Sequence, residues 1–470
     1  MTEENAVVIA GAGPAGLACA YGLSKEKRPY ILIDENPQPG GLCRTIDFQG
    51  YLFDIGGHRF LTSSPEVQAL WEDMMGDELL RVKRLSRIYY RGKYFDYPLS
   101  FVDTVLKLGP LDSLLCFLSY ARYKFFPYHE KDSFEGWIIH NFGKRLYNIF
   151  FKTYTEKVWA VPCKDLSSDW AVQRIMGLSL QVAIKKMLGF DVGQGPKTFA
   201  ERFLYPKTGP GEFYKRLLDS ARVEGSGYWP NRKVIRIRHD GNRIFSVDVK
   251  GKREADACLL KTSRLFSSMP LPEAALMFDP PAPPETQEAA KKLVFRSYLV
   301  VNIIMDKEHI FPDQWIYIHS PEVRMGRIQN YKNWSPAMVP DPGKTSLGLE
   351  YFCNAGDELW NMDDLDLIDF ALKELERTGI ASRKHYINGF VVRYKNAYPL
   401  YSMGYMDNVM AVKKYLDRFP NFQTMGRGGL FRYDNSDHSI LTGMYAADNY
   451  TGRGRHDLWA VDLGKRYLES

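Results

Sequence analysis

The chain lacks the marks of a disulfide-built, metal-built or membrane-spanning protein. Its six cysteines (Cys19, Cys43, Cys116, Cys163, Cys258 and Cys353) are scattered through 470 residues, with no CxxC pair and no Cys/His metal spacing. They read as reduced, mostly buried thiols, and no metal site is expected. No apolar run is long enough to cross a bilayer. The nearest candidate, residues 114–127 (LLCFLSYARYKFFP), is short and is interrupted by Arg122 and Lys124. A packed amphipathic helix is the expected form of that run, with a membrane-surface helix as the alternative. No stretch is rich in Lys and Arg, and 62 basic against 56 acidic residues leave a net charge of only +6, which argues against a nucleic-acid partner. Internal repeats and low-complexity segments are also missing. Met-Thr-Glu-Glu-Asn runs directly toward a strand with no basic leader or cleavage pattern, so a cytoplasmic location is expected.

What is present is the pattern of an interleaved α/β protein, long enough for two or three domains. Val7–Ala10 reads as a buried strand, GAGPAG as a turn and Leu17–Leu23 as the following helix; a second strand, Tyr30–Ile33, ends at Asp34. From Pro65 to Lys197 the apolar periodicity is helical. Lys233–Arg238 and Arg243–Val249 read as a hairpin across His-Asp-Gly-Asn, and Leu265–Met269 as a strand stopped by Pro270. DPPAPPE (279–285) reads as a linker. Beyond it lie strand-like stretches at Ser297–Met305, Gln314–His319 and Thr345–Cys353, and a helix at Leu365–Glu376. The expected division is a discontinuous dinucleotide domain (1–64, 198–278 and 405–470) facing two insertions, one helical (65–197) and one sheet-rich (279–404).

Gly11, Gly13 and Gly16 form G-x-G-x-x-G between the first strand and helix. Gly11 permits the tight turn, Gly13 lets backbone approach a pyrophosphate, and Gly16 allows close helix–strand packing. Pro14 and Ala15 open the helix whose N-terminus favours phosphate. Asp34, with Glu35 beside it, stands where a carboxylate can bind ribose hydroxyls. GGLCRT then supplies Gly40, Gly41, Arg44 and Thr45, a second glycine pair and a basic residue that suit an extended dinucleotide. NAD domains have no standing need of this element, so FAD, held without covalent linkage, is the expected cofactor. DIGGHRF adds Gly56, Gly57 and His58, expected near the flavin ring, and Val234 on the hairpin is expected to line the cofactor.

This set resembles the FAD-dependent amine oxidase and protoporphyrinogen oxidase superfamily. Within it, YTEKVWAVPCKDLSSDWAVQRI (154–175), AYPLY (397–401) and GRGGLFRYDNSDHSI (426–440) are similar to signatures of UDP-galactopyranose mutases. The resemblance implies an α/β fold: a Rossmann-like FAD-binding domain of the GR2 flavoprotein type interleaved with a helical and antiparallel-sheet substrate domain. It also implies a reaction in which N5 of the reduced flavin attacks the anomeric carbon of a nucleotide sugar, with NAD(P)H as a candidate reductant. By matching position, Tyr154 and Trp159 would line the nucleotide base, Arg174 and Arg327 would bind the diphosphate, and Tyr398, Tyr401 and Tyr433 would surround it. Arg427 and Asp437 would close on the FAD. His58, Arg174 and Arg327 are the candidate catalytic residues. The chain departs from that branch in reading Tyr-Asp-Asn-Ser-Asp for Tyr-Leu-Asp-Met-Asp, and Gly-His-Arg-Phe in place of a segment with a second histidine.

Three readings stay open at this point. One is a nucleotide-sugar mutase acting on a small-molecule substrate. Another is an oxidase or desaturase taking a hydride from a C–N or C–C bond. The third is a non-catalytic binding protein on the same fold. A homo-oligomer is compatible with each.

Overall fold

In the computed structural model the described residues are 6–126, 128, 131–175, 202–253 and 257–461, and two large sheets organise them. The first strand, Ala6–Ala10, pairs in parallel with Tyr30–Ile33 on one side and Cys258–Ser267 on the other. Its unalternating apolar run is what a parallel strand covered on both faces requires. Gly227–Trp229 and Phe422–Thr424 extend the parallel part. The antiparallel run Cys258–Ser267, Ile244–Gly251, Arg232–His239 completes an eight-stranded sheet, with Phe278–Asp279 at its edge. The helices Pro14–Lys25 and Ser436–Thr451 share one apolar core on this sheet, with Leu17, Ala18, Ile440 and Ala447 packed about Val7 and Ile9.

The second sheet has seven strands in the order Tyr386–Pro399, Phe295–Met305, Thr345–Cys353, Arg327–Asn330, Trp315–Ile318, Ser86–Tyr90, Lys93–Asp96. Phe295–Met305 and Thr345–Cys353 are buried throughout. Leu299, Val301 and Ile303 face the helix Asp364–Arg377, whereas Tyr298 and Val300 point to the opposite face and pack with Trp159 and the helical segment, as the two-residue period of a strand dictates.

Two expectations need correction. The region from Pro65 is only partly helical: between the helices Pro65–Met75 and Phe101–Leu108 lie the strands Leu79–Lys83, Ser86–Tyr90 and Lys93–Asp96. The last two form a tight hairpin through Arg91 and Gly92, both left-handed, and dock beside Trp315–Ile318. That partner is far along the chain, so local periodicity could not reveal the strands. Residues 176–197 of the same expectation lie outside the described residues. Nor is DPPAPPE a free linker. Phe278–Asp279 belongs to the sheet, Ala282 is buried, and Pro284 begins the helix Pro284–Lys292, a position that proline suits.

Cys19, Cys43, Cys116, Cys163 and Cys353 are buried, and Cys258 is exposed. No described helix is long and apolar enough to cross a membrane.

Candidate active site

One cleft opens at the C-terminal ends of Ala6–Ala10 and Tyr30–Ile33 and extends to the second sheet. Its floor is the glycine loop. Gly11 has φ +102°, and a Cβ there would fall 2.2 Å from Ser268 Oγ; a Cβ on Gly16 would fall 1.8 Å from the Gly11 carbonyl oxygen. The first is the strained turn and the second the close packing that the motif predicts. Gly41 crosses over this loop so closely that its Cβ would lie 3.1 Å from Gly13 Cα. Pro14 and Ala15, at the start of their helix, face the cleft, as do Asn435, Ser436 and Ser439 at the start of Ser436–Thr451. Two helix N-termini, each favourable to anions, therefore border one cleft.

Asp34 and Glu35 line its far end. Asp34 Oδ2 accepts from the Ala12 N–H at 2.6 Å, while Oδ1 accepts from the Asn36 N–H and side-chain amide at 2.8 and 2.9 Å. Val234 is beside them. Gly56, Gly57 and His58 form part of another wall, joined there by Arg327, Tyr398, Arg427 and Tyr433. Arg327 Nη2 donates to Tyr398 Oη at 3.0 Å, and its Nε donates to the Glu350 carboxylate. The Arg427 guanidinium lies 4.8 Å from the Tyr398 ring centre and 4.4 Å from that of Tyr433, within cation–π range, and the two rings stack at 5.5 Å. Arg427 Nη1 donates to the Asp434 carbonyl, leaving its Nε and Nη2 buried without a hydrogen-bond partner.

The charge state of the wall follows from burial. Desolvation pulls the His58 imidazole down to about 4, helped by the nearby Arg427 and Arg327 and opposed by the Gly56 carbonyl 3.1 Å from Nδ1. The ring is neutral at neutral pH, so it neither repels nor neutralises the guanidiniums. Burial likewise raises Tyr398, keeping its hydroxyl protonated.

Other sequence-predicted residues stand back from the cleft. Gly40 packs against Tyr214 behind the loop. Arg44 is buried beneath the loop, with Nη1 lacking a partner and its guanidinium 5.8 Å from the Tyr394 ring. Thr45 donates to Asp54 at 2.7 Å and accepts from the Gly211 N–H at 3.0 Å, which ties two segments together. Asp437 is buried within its helix and meets His438 Nδ1 at 3.0 Å. Trp159, 1% exposed, meets Tyr398 and Tyr433 edge-on from behind and has no face open for a base. Tyr154 stacks on His319 at 4.5 Å. Tyr401 stacks on Tyr405 at 4.3 Å, and its hydroxyl accepts from the Tyr433 N–H. Arg174 belongs to the helix Ser168–Ile175, but its side chain lies outside the described residues.

Sequence reasoning missed Glu350. It is fully buried and accepts from Arg327 and, at 2.8 Å, from Gln329 Nε2. A lone carboxylate within the apolar strand TSLGLEYFC was the available signal, because a charge buried there must have a partner.

Comparison with known proteins matches residues 14–455 to the flavin containing amine oxidoreductase family. A structure of a reduced UDP-galactopyranose mutase superposes with a TM-score of 0.82 at 23% identity, covering 98% of this chain and 97% of the other. A putative protoporphyrinogen oxidase from Exiguobacterium sp. 255-15 gives 0.71 at 17% identity, over 96% and 99%. Protoporphyrinogen oxidase 2 of Arabidopsis thaliana is 21% identical over 94% of this chain and 93% of its own length. Two further matches are local: the chain spans 13% of an all-trans-retinol 13,14-reductase from Danio rerio and 55% of a 1-hydroxycarotenoid 3,4-desaturase from Flavobacterium sp. (strain P99-3). The α/β architecture with a Rossmann-like FAD fold is as the sequence implied, and the reading as a non-catalytic binding protein falls away. The chain belongs to the flavin containing amine oxidoreductase family and is an FAD-dependent enzyme.

Proposed function

We propose that this flavoenzyme acts on a nucleotide sugar, in a UDP-sugar pyranose–furanose interconversion that uses the reduced flavin. The observation that carries the reading is the wall on which Arg327, Tyr398 and Tyr433 come together with Gly56, Gly57 and His58. A fork of guanidinium N–H groups there suits the oxygens of a diphosphate.

The cleft fits FAD, because buried N–H groups of Arg427 lack a partner and the glycine loop lines the cleft at Gly11 and Gly13. In this reading Gly11, Gly13, Gly41 and the helix starts at Pro14 and Ser436 hold the pyrophosphate, with Arg427 closing on it. Asp34, Glu35 and Val234 hold the adenosine end, and Arg44 acts from beneath the loop. When bound and reduced, by NAD(P)H or a chemical donor, the flavin supplies a nucleophilic nitrogen. The residues of the chain do the rest. Glu350 aims Arg327; Arg327 and Tyr398 hold the diphosphate and stabilise its charge as it leaves the sugar. Neutral His58 closes the wall without competing for that anion, and Trp159 backs the two tyrosines. Arg174 is assigned to the diphosphate by resemblance alone, and Tyr154, stacked on His319, backs the substrate side from behind.

A second reading, an oxidase or desaturase, is favoured by the family match and by the near full-length similarity to a protoporphyrinogen oxidase. An ammonium substrate is disfavoured because Arg427 adds positive charge to the same wall. The test is to incubate the dithionite-reduced holoenzyme with UDP-galactopyranose and separate the products chromatographically. Ring-contracted product without stoichiometric use of reductant supports the proposal. Turnover of a porphyrinogen or amine by oxidised enzyme with release of peroxide, and no conversion of the UDP-sugar, overturns it.

A further inference from the structure

We propose that the outer face of residues 101–126 is a docking surface for an anionic lipid bilayer. The helix Pro110–Phe125 has two opposite sides. Cys116 and Tyr120, four residues apart, are buried against the protein. Leu111, Leu114, Leu118 and Phe125, spaced three, four and seven residues apart, form a single stripe on the other side. Together with Leu106 on the preceding helix Phe101–Leu108 and Phe126 just beyond, they are between 53% and 79% exposed. Eight of the twenty large apolar side chains that are exposed among the described residues fall within residues 102–126, so the apolar surface is concentrated there and not scattered. The expected amphipathic helix is thus packed on one side, and its other side is apolar and exposed.

The charges beside this stripe choose its occupant. Arg122 and Lys124 are exposed in the last turn, one on each flank of the apolar stripe. A groove next to the hairpin is lined by Arg91, Lys93, Lys107 and Arg145. Asp112 and Asp103 offset Arg145 and Lys107, so the positive charge of this rim rests on Arg91 and Lys93 together with Arg122 and Lys124. An apolar stripe with a basic rim matches acyl chains below and anionic headgroups above. A second copy of the chain fits less well, because a two-fold contact through this face would bring the basic rims of both copies together. The helix is too short to span a bilayer, so it would lie in the plane of the interface.

The experiment is co-sedimentation of the FAD-loaded full chain with vesicles of phosphatidylcholine alone and of equimolar phosphatidylcholine and phosphatidylglycerol. The protein should sediment with the anionic vesicles, more weakly with the neutral ones, and less as salt rises. The double variant Leu118→Glu, Phe125→Glu should partition at least about ten-fold less. Arg122→Gln and Lys124→Gln should each cost about five-fold on anionic vesicles and nothing on neutral ones. All these positions are exposed, so flavin content and thermal midpoint should be unchanged, which separates lost binding from lost folding. No sedimentation of the wild type, or equal sedimentation of the double variant, overturns the proposal. So does a wild-type dimer that becomes a monomer in the double variant without any change in vesicle binding, which would give the face to a second copy.

Discussion

Arg327 and Glu350 stand directly opposite one another on the neighbouring antiparallel strands Arg327–Asn330 and Thr345–Cys353, and the carboxylate is wholly buried. The sheet register thus aims the guanidinium at the cleft. Glu350→Ala leaves Arg327 without its counter-charge in a mostly buried place. Urea unfolding should show a loss of about 3 kcal/mol. A loss near zero would mean that the pair does not hold the site.

Asp34 spends both carboxylate oxygens on the backbone and side chain around it, through Ala12 and Asn36. Asp34→Ala therefore removes a cap on the glycine loop as well as a proposed ribose acceptor. Flavin retained after dilution and filtration should fall about ten-fold or more. Unchanged retention with an intact fold would show that the adenosine end lies elsewhere.

Cys43 and His58 are the thiol and imidazole that line the cleft. Burial pushes the Cys43 thiol up to about 12, and a protonated thiol is a poor nucleophile. All flavin should then be released into the supernatant on heat denaturation. Yellow colour that stays with the precipitated protein would contradict non-covalent binding.

Two buried groups give opposing pH dependences. Burial raises the Asp54 carboxyl from 3.8 to about 7, against hydrogen bonds from Tyr205 and Thr45 that lower it. The native state holds that proton more tightly than the unfolded chain, so this contribution to stability is complete below 3.8 and is lost as pH rises through 7. His58 is lowered from 6.5 to about 4, so the unfolded chain takes up its proton first and stability is lost as pH falls across that window. Measured relative to Asp54→Asn, which leaves His58 in place, wild-type stability should decline between pH 3.8 and about 7. Parallel curves for the two proteins would contradict the assignment.

The dinucleotide loop was legible because all its determinants are local. Gly11, Gly13, Gly16 and Asp34 lie within one strand–helix–strand unit, and Gly11 and Gly16 each have a contact or a φ that a side chain would spoil. The substrate wall was legible only in part. Arg327, Tyr398 and Tyr433 were placed by resemblance, and the structure does bring them together. Tyr401 and Trp159 were drawn to the same wall, yet each is packed against other aromatic rings behind it. An aromatic side chain looks the same in sequence whether it faces a ligand or a neighbouring ring. The hairpin at Ser86–Asp96 depends on a partner distant in the chain, and no local pattern records it. Glu350 left one local trace, a lone carboxylate in an apolar strand, and residues 114–127 left an amphipathic run, but in neither case does the pattern name the partner.

The central claim is that Arg327 holds an anionic diphosphate beside the flavin, and calorimetric titration of UDP into the FAD-loaded protein tests it most directly. UDP should bind, with an affinity that weakens as salt rises. Arg327→Ala should weaken it by about ten- to hundred-fold without changing flavin content. Arg327→Lys keeps a counter-charge for Glu350 but loses the planar fork, and should lie between the two. Failure of the wild type to bind UDP, or equal binding by Arg327→Ala, would contradict the account.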